Sequence, residues 1–368
     1  MGWSLPVRIG RREIGRALKS ASAALGAPWT APAPLAAELA GSGITEVAEF
    51  ASNPGHLRML VYVPEAAPAP GAPLVVVLHG CGQRAADFAE QGGWLALAES
   101  LGVPLVLPEQ LEDNNRQTCF NWFRPSDATR GRGEALSIRQ MVAEATRRFR
   151  SDPARVFVIG LSAGGAMAAA LLAAYPDVFA AGAIVAGLPV GCAADAGQAF
   201  ARMSNAGPEH PAAEWAALAR AAAPARWEGP WPRVSIWHGA RDRMVDPRNS
   251  DNLVAQWTAL HGLDPATPSA TATLDGARRA VWGAPGRPLV EAWTIPALAH
   301  GFPVTGKNTR ASLVERSSDL GDLFAQWSGA GLGALGHAFP LAGGGTSWVH
   351  DVGIDATQAI ARFWDIAR

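Results

Sequence analysis

The 368-residue sequence has few charges and few cysteines. Charged residues make up 17% of the chain and its formal net charge is −1. It carries no basic stripe of the kind that follows a nucleic-acid backbone, and no acidic tail. No apolar run approaches the roughly 18 residues of a membrane-spanning helix, so no helical membrane span is expected. Three cysteines cannot all pair. No cluster of cysteine and histidine has metal-ligand spacing and no glycine loop has the spacing of a phosphate cradle, so neither metal nor nucleotide cofactor is expected. The 40 glycines and 28 prolines are spread along the chain at no fixed period, which sets aside collagen and solenoids.

The N-terminus is basic (Arg8, Arg11, Arg12, Arg16, Lys19) but lacks a continuous apolar core for a signal peptide. It reads as an amphipathic helix with Ile9, Ile14 and Leu18 on one side, followed by a Pro/Ala linker. Residues 1–43 are therefore expected to be a helical extension, and residues 44–368 a single α/β domain. As written, the chain reads as cytoplasmic; a leader missing from it would make it secreted or periplasmic.

Within that domain, Ile44 to Phe50 and Leu57 to Val63 are expected to form opening antiparallel strands. Leu74-Val75-Val76-Val77-Leu78 is a continuous aliphatic run, the pattern of a parallel strand buried on both faces. Val103 to Leu107, Arg155 to Ile159, Ala180 to Ala186, Arg233 to Trp237 and Leu289 to Ile295 continue the series. Helical spacing separates them, most clearly at Ile138, Met141, Val142, Ala145 and Phe149. Strand alternating with helix predicts a doubly wound, mostly parallel sheet. An Ala/Trp/Pro-rich helical insertion at about 194–232 sits where a cap would overhang the sheet.

Gly160-Leu161-Ser162-Ala163-Gly164 lies between a buried strand and an alanine-rich helix. In that context G-x-S-x-G is a nucleophile elbow, a sharp turn that lifts a serine hydroxyl off the sheet edge. A serine hydroxyl is a weak nucleophile and needs a base, an acid to orient the base, and donors for the oxyanion. In α/β-hydrolases the order is serine, acid, histidine, each past a strand end. Asp242 is the favoured acid, with Asp246 its competitor. His300 is the favoured base, and His337 in a second His-x-Phe-Pro copy is its rival, as is His350. Ala163 N–H, after the serine, and Cys81 N–H, after the His79-Gly80 strand end, are the expected oxyanion donors. His79 and His238 are expected to hydrogen-bond loop backbone.

Leu78-His79-Gly80-Cys81, Cys119-Phe120-Asn121-Trp122-Phe123, Gly160 to Met167, Trp237 to Asn249 and Ala299-His300-Gly301-Phe302-Pro303-Val304 together resemble the polyhydroxybutyrate depolymerase-type esterases, a group that includes feruloyl and acetylxylan esterases. The similarity covers roughly residues 55–305, while 305–350 match no pattern of the family. It implies an α/β-hydrolase fold and a carboxylester hydrolase with Ser162, Asp242 and His300 as triad and Cys81 and Ala163 as oxyanion donors. Asn121 and Trp122 are implied as substrate contacts. The resemblance also implies a Cys81–Cys119 disulfide, leaving Cys192 free. The expected substrate is a hydroxyalkanoate oligomer or polyester chain. Alternatives are a feruloyl or other polymer esterase, including one for amide-linked polymers, and a silent binding homologue. Oligomeric state is not legible.

Overall fold

A computed structural model describes residues 42–306 and 348–367; those from Gly43 onward belong to one unit. The expected N-terminal helix and linker at 1–41, and His337, lie outside the described residues.

The aliphatic runs become the centre of a ten-stranded sheet because they have no polar face to offer water. Strand β3 (Leu74–Leu78), β4 (Leu105–Glu109), β5 (Val156–Leu161) and β6 (Ala181–Val185) are buried at every position. With β1 (Ile44–Glu46), β2 (Arg58–Tyr62), β7 (Arg233–Gly239), β8 (Ala270–Leu274), β9 (Ala277–Ala284) and β10 (Arg287–Ile295) the order is β1-β2-β4-β3-β5-β6-β7-β10-β9-β8. Neighbours from β4 to β10 run parallel, and the pairs at both edges are antiparallel. The β8–β9 hairpin is absent from the sequence reading. Its first strand is exposed throughout, so no buried run marks it.

Helices α1 (Ala85–Gln91), α2 (Trp94–Leu101), α3 (Pro125–Ala128), α4 (Gly133–Phe149) and α5 (Ala163–Ala174) follow the first strands. Every residue of α5 is buried, which its alanines and glycines allow by letting the helix lie close against the sheet. The insertion contains α6 (Ala196–Asn205) and α7 (Ala212–Ala222), and these pack on α5 and on α8 (Arg248–Leu260). Trp215 of α7 is fully buried in this contact, whereas Trp227 and Trp231 are half-buried. Helix α9 (Ala356–Phe363) closes the chain and packs on α2.

A second, two-stranded sheet escaped the sequence reading. Strand β11 (Phe302–Val304) pairs in parallel with β12 (Val349–Asp351), so the chain returns to the segment after His300. Each strand is three residues long, too short for a periodic signal. His79, just past β3, and His238, near the end of β7, stand on strands that β5 and β6 separate.

Candidate active site

Ser162 stands between β5 and α5 with φ 57° and ψ −117°, a left-handed-side backbone state that a non-glycine residue adopts only under constraint. Two glycines make the turn possible. A Cβ on Gly160 would collide with the backbone of Gly164, and one on Gly164 with the carbonyls of Leu78 and His79. The start of α5 therefore abuts the end of β3, where Cys81 lies. Ser162 N–H donates to the Val185 carbonyl at 2.8 Å, which pins the turn to the next strand.

Asp242 follows β7 and His300 follows β10, adjacent parallel strands whose ends lie side by side. The two loops are laced together by the Ala240 N–H to the Ile295 carbonyl (2.9 Å) and the Arg241 N–H to the Leu298 carbonyl (3.0 Å). The His300 Nδ1–H donates to Asp242 Oδ2 at 2.8 Å, and the Ser162 hydroxyl donates to His300 Nε2 at 3.0 Å. All three are buried or nearly so. Asp246 does not join this chain; it binds the backbone N–H and guanidinium of Arg248 at the start of α8.

The Asp242 carboxylate accepts at both oxygens. Oδ1 takes the N–H groups of Met244 and Val245, each at 2.9 Å, and Oδ2 also lies 3.2 Å from His238 Nε2. Burial pushes its pKa up, but His300 and the hydrogen bond from His238 outweigh that and hold it well below the usual carboxylate range.

Behind the elbow, the Cys81–Cys119 disulfide joins the loop after β3 to the loop after β4, with Cα atoms 4.3 Å apart. Gly82 N–H to the Gln117 carbonyl (2.8 Å) and Gly80 N–H to Gln83 Oε1 (2.8 Å) flank Cys81. Among the described residues no acceptor takes the Cys81 N–H, and the Ala163 N–H, at the first position of α5, has none within its helix. Cys192 is free and buried, its thiol pushed up to about 12 by burial.

Asn121, expected to touch substrate, faces inward instead. Its N–H and its side-chain amide both donate to the Glu134 carboxylate, and its Oδ1 accepts from Asn115. Glu134 also accepts from Gln110, whose own N–H donates to His79 Nε2. This polar cluster was missed, although Glu134 interrupts the apolar phase set by Ile138, Met141 and Ala145 and is buried with them. Burial raises its pKa to about 7 against the bonds from Asn121 that lower it. Trp122 stands edge-on to Phe123 and is 8% exposed. Trp348 meets the His300 ring edge-on at 5.6 Å, and His350 donates from Nε2 to the His300 carbonyl at 3.1 Å. His350, a rival base by sequence, thus supports the loop of His300. No group of three or more His, Cys, Asp or Glu among the described residues could hold a metal ion.

A serine on a strained elbow, reached by a histidine and an aspartate from the two neighbouring parallel strand ends, sits on the sheet of an α/β-hydrolase. An acetyl xylan esterase from Aspergillus awamori shares that fold: TM-score 0.64 and 24% identity over 70% of this chain and 93% of that one. The chain belongs to the PHB depolymerase esterase family, whose model matches residues 57–281. It is 47% identical to poly(3-hydroxyalkanoate) depolymerase C of Paucimonas lemoignei over 72% of this chain. That match spans 64% of the depolymerase's own length, under two thirds of it. Feruloyl esterase B of Talaromyces stipitatus is 31% identical over 75% of each chain.

Proposed function

We propose that the protein hydrolyses carboxylic esters through an acyl-enzyme on Ser162, with hydroxyalkanoate oligomers or polyester chains as substrate. The observation that carries this reading is the unbroken hydrogen-bond chain from Ser162 Oγ through His300 to Asp242. With Nδ1–H given to Asp242, His300 keeps the Nε2 lone pair free to take the serine proton as Oγ attacks the ester carbon. The N–H groups of Cys81 and Ala163 stabilise the oxyanion. His300 Nε2–H then protonates the departing alcohol, and a water deprotonated by the same nitrogen releases the acid and frees Ser162. The 47% identity to a poly(3-hydroxyalkanoate) depolymerase supports the hydroxyalkanoate class; the feruloyl esterases at 31% support feruloyl and other aromatic-acid esters as the second reading. A described disulfide favours an oxidising compartment, secreted or periplasmic, over the cytoplasm.

The test is a hydrolysis panel of hydroxybutyrate oligomers, methyl ferulate and nitrophenyl esters with wild type and Ser162→Ala. We expect oligomer cleavage by wild type, labelling of Ser162 by a fluorophosphonate, and loss of turnover by at least about 10⁴-fold in the folded variant. Wild-type rates in Ser162→Ala would refute the mechanism, and a protein that neither labels nor turns over is a silent binding homologue.

A further inference from the structure

His238 is the penultimate residue of β7, four residues before Asp242, and both side chains are buried. The carbonyl of Val245 lies 2.9 Å from His238 Nε2 and can only accept, so that nitrogen carries the proton. The same N–H reaches Asp242 Oδ2 at 3.2 Å, the oxygen that also accepts from His300 Nδ1–H. His238 Nδ1 is buried with no hydrogen-bond partner among the described residues. A side chain kept only to hold backbone would not need an orphaned nitrogen in the core, where an unmade bond costs about 1–3 kcal/mol. The other nitrogen recovers that cost by serving Val245 and Asp242 together.

We infer that His238 is a positioning residue for the reaction: its Nε2–H orients the Asp242 carboxylate toward His300 and takes up part of the negative charge on Oδ2. The inference rests on the Ser162–His300–Asp242 reading above. Its consequence is electrostatic. A carboxylate that shares Oδ2 with a second donor attracts a neighbouring imidazolium less strongly than an unshared one does. The other charges near His238 are Asp246, just before α8 and paired with Arg248, and Asp251 of α8, which lies within the field of Arg278 of β9. None of these changes in the variants below.

The test is the pH dependence of kcat/KM on a nitrophenyl ester, whose acidic limb reports the base of the free enzyme. In His238→Phe and His238→Asn no donor reaches Oδ2, and the limb should move up by about half a pH unit or more. His238→Gln carries a donor at the reach of Nε2 and should return the limb to the wild-type position. His238→Asn keeps the question open to measurement if the Phe variant does not fold. An unmoved limb in Phe and Asn, whatever their thermal stability, overturns the inference and leaves His238 a structural residue. A limb that moves in all three overturns the hydrogen-bond account. Failure of the underlying reading looks different: wild type would not label at Ser162, and the inference would fall with it.

Discussion

At the scale of single residues, geometry separates His300, the base that the sequence favours, from its rival His350. The His300 side chain touches both Ser162 and Asp242, while the His350 side chain bonds the His300 carbonyl. His300→Ala should therefore match the loss in Ser162→Ala, and the double variant should fall little further, because members of one relay act as a unit. His350→Ala should lower kcat only several-fold through a loosened loop. Single-turnover kinetics on the four proteins checks both statements; a dead His350→Ala with an active His300→Ala would reverse the roles. Asp242→Asn should fold yet lose about 10⁴ in kcat, since an amide can turn its N–H toward Nδ1 and favour the wrong tautomer. Asp246→Asn, which breaks only the contacts to Arg248, should stay near wild type in the same assay.

Among the elements, the two loops joined by Cys81–Cys119 are held from both ends, by sulfur in front and by the Glu134 cluster behind. The bond closes a stretch with sequence separation 38, for which chain entropy predicts a stabilisation of about 4 kcal/mol. The Cys81→Ser/Cys119→Ser protein should lose much of that in denaturant titration. It should also lose kcat on the smallest esters, because Cys81 N–H is no longer fixed. Unreduced wild type, unfolded in denaturant, should titrate one thiol, from Cys192. Glu134 allows a pH test with a definite sign. Its folded pKa, raised to about 7 from 4.5, means its contribution to stability is full below pH 4.5 and is lost as pH rises through 7. Glu134→Gln cannot ionise, so wild type should lose on the order of 2 kcal/mol relative to the variant between pH 5 and 8. Parallel thermal-melt curves for the two proteins across that range would contradict this.

For the molecule as a whole, the helical insertion is bound into the core by more than its own helices. Trp215 is fully buried, and Gln256 of α8 donates to its carbonyl at 2.9 Å. Trp215→Ala should cost about 3–5 kcal/mol by opening a cavity between α7 and the body, measurable as a lower unfolding midpoint. The ring reaches none of the Ser162, His300 and Asp242 contacts, so KM should hold at temperatures where the variant is folded.

Composition and local pattern sufficed for the central parallel sheet and its helices, though not for the β8–β9 hairpin or the β11–β12 pair. Fully apolar runs such as Leu74–Leu78 and Val156–Leu161 can lie only in the interior, and the glycines around Ser162 allow one tight strand-to-helix turn. Position along the chain also put Ser162, Asp242 and His300 past strand ends. What local pattern could not reach is everything set by chain segments far apart in number. Asn121, implied by the resemblance as a substrate contact, is the partner of Glu134, because the fold of α4 brings a buried acid behind that loop. The pairing of β11 with β12 brings Trp348 and His350 onto the His300 loop from about fifty residues downstream, and no periodicity marks strands so short. His238 was legible as a strand-end histidine that bonds backbone, and it does bond Val245. Its second contact, to the carboxylate oxygen that His300 also uses, follows from the turn between β7 and α8 folding back on itself under burial. Residue types and spacing thus determined which groups stand at the sheet edge. The tertiary structure decided which atoms of those groups meet, because hydrogen bonds are made over about 3 Å and only packing sets positions that closely.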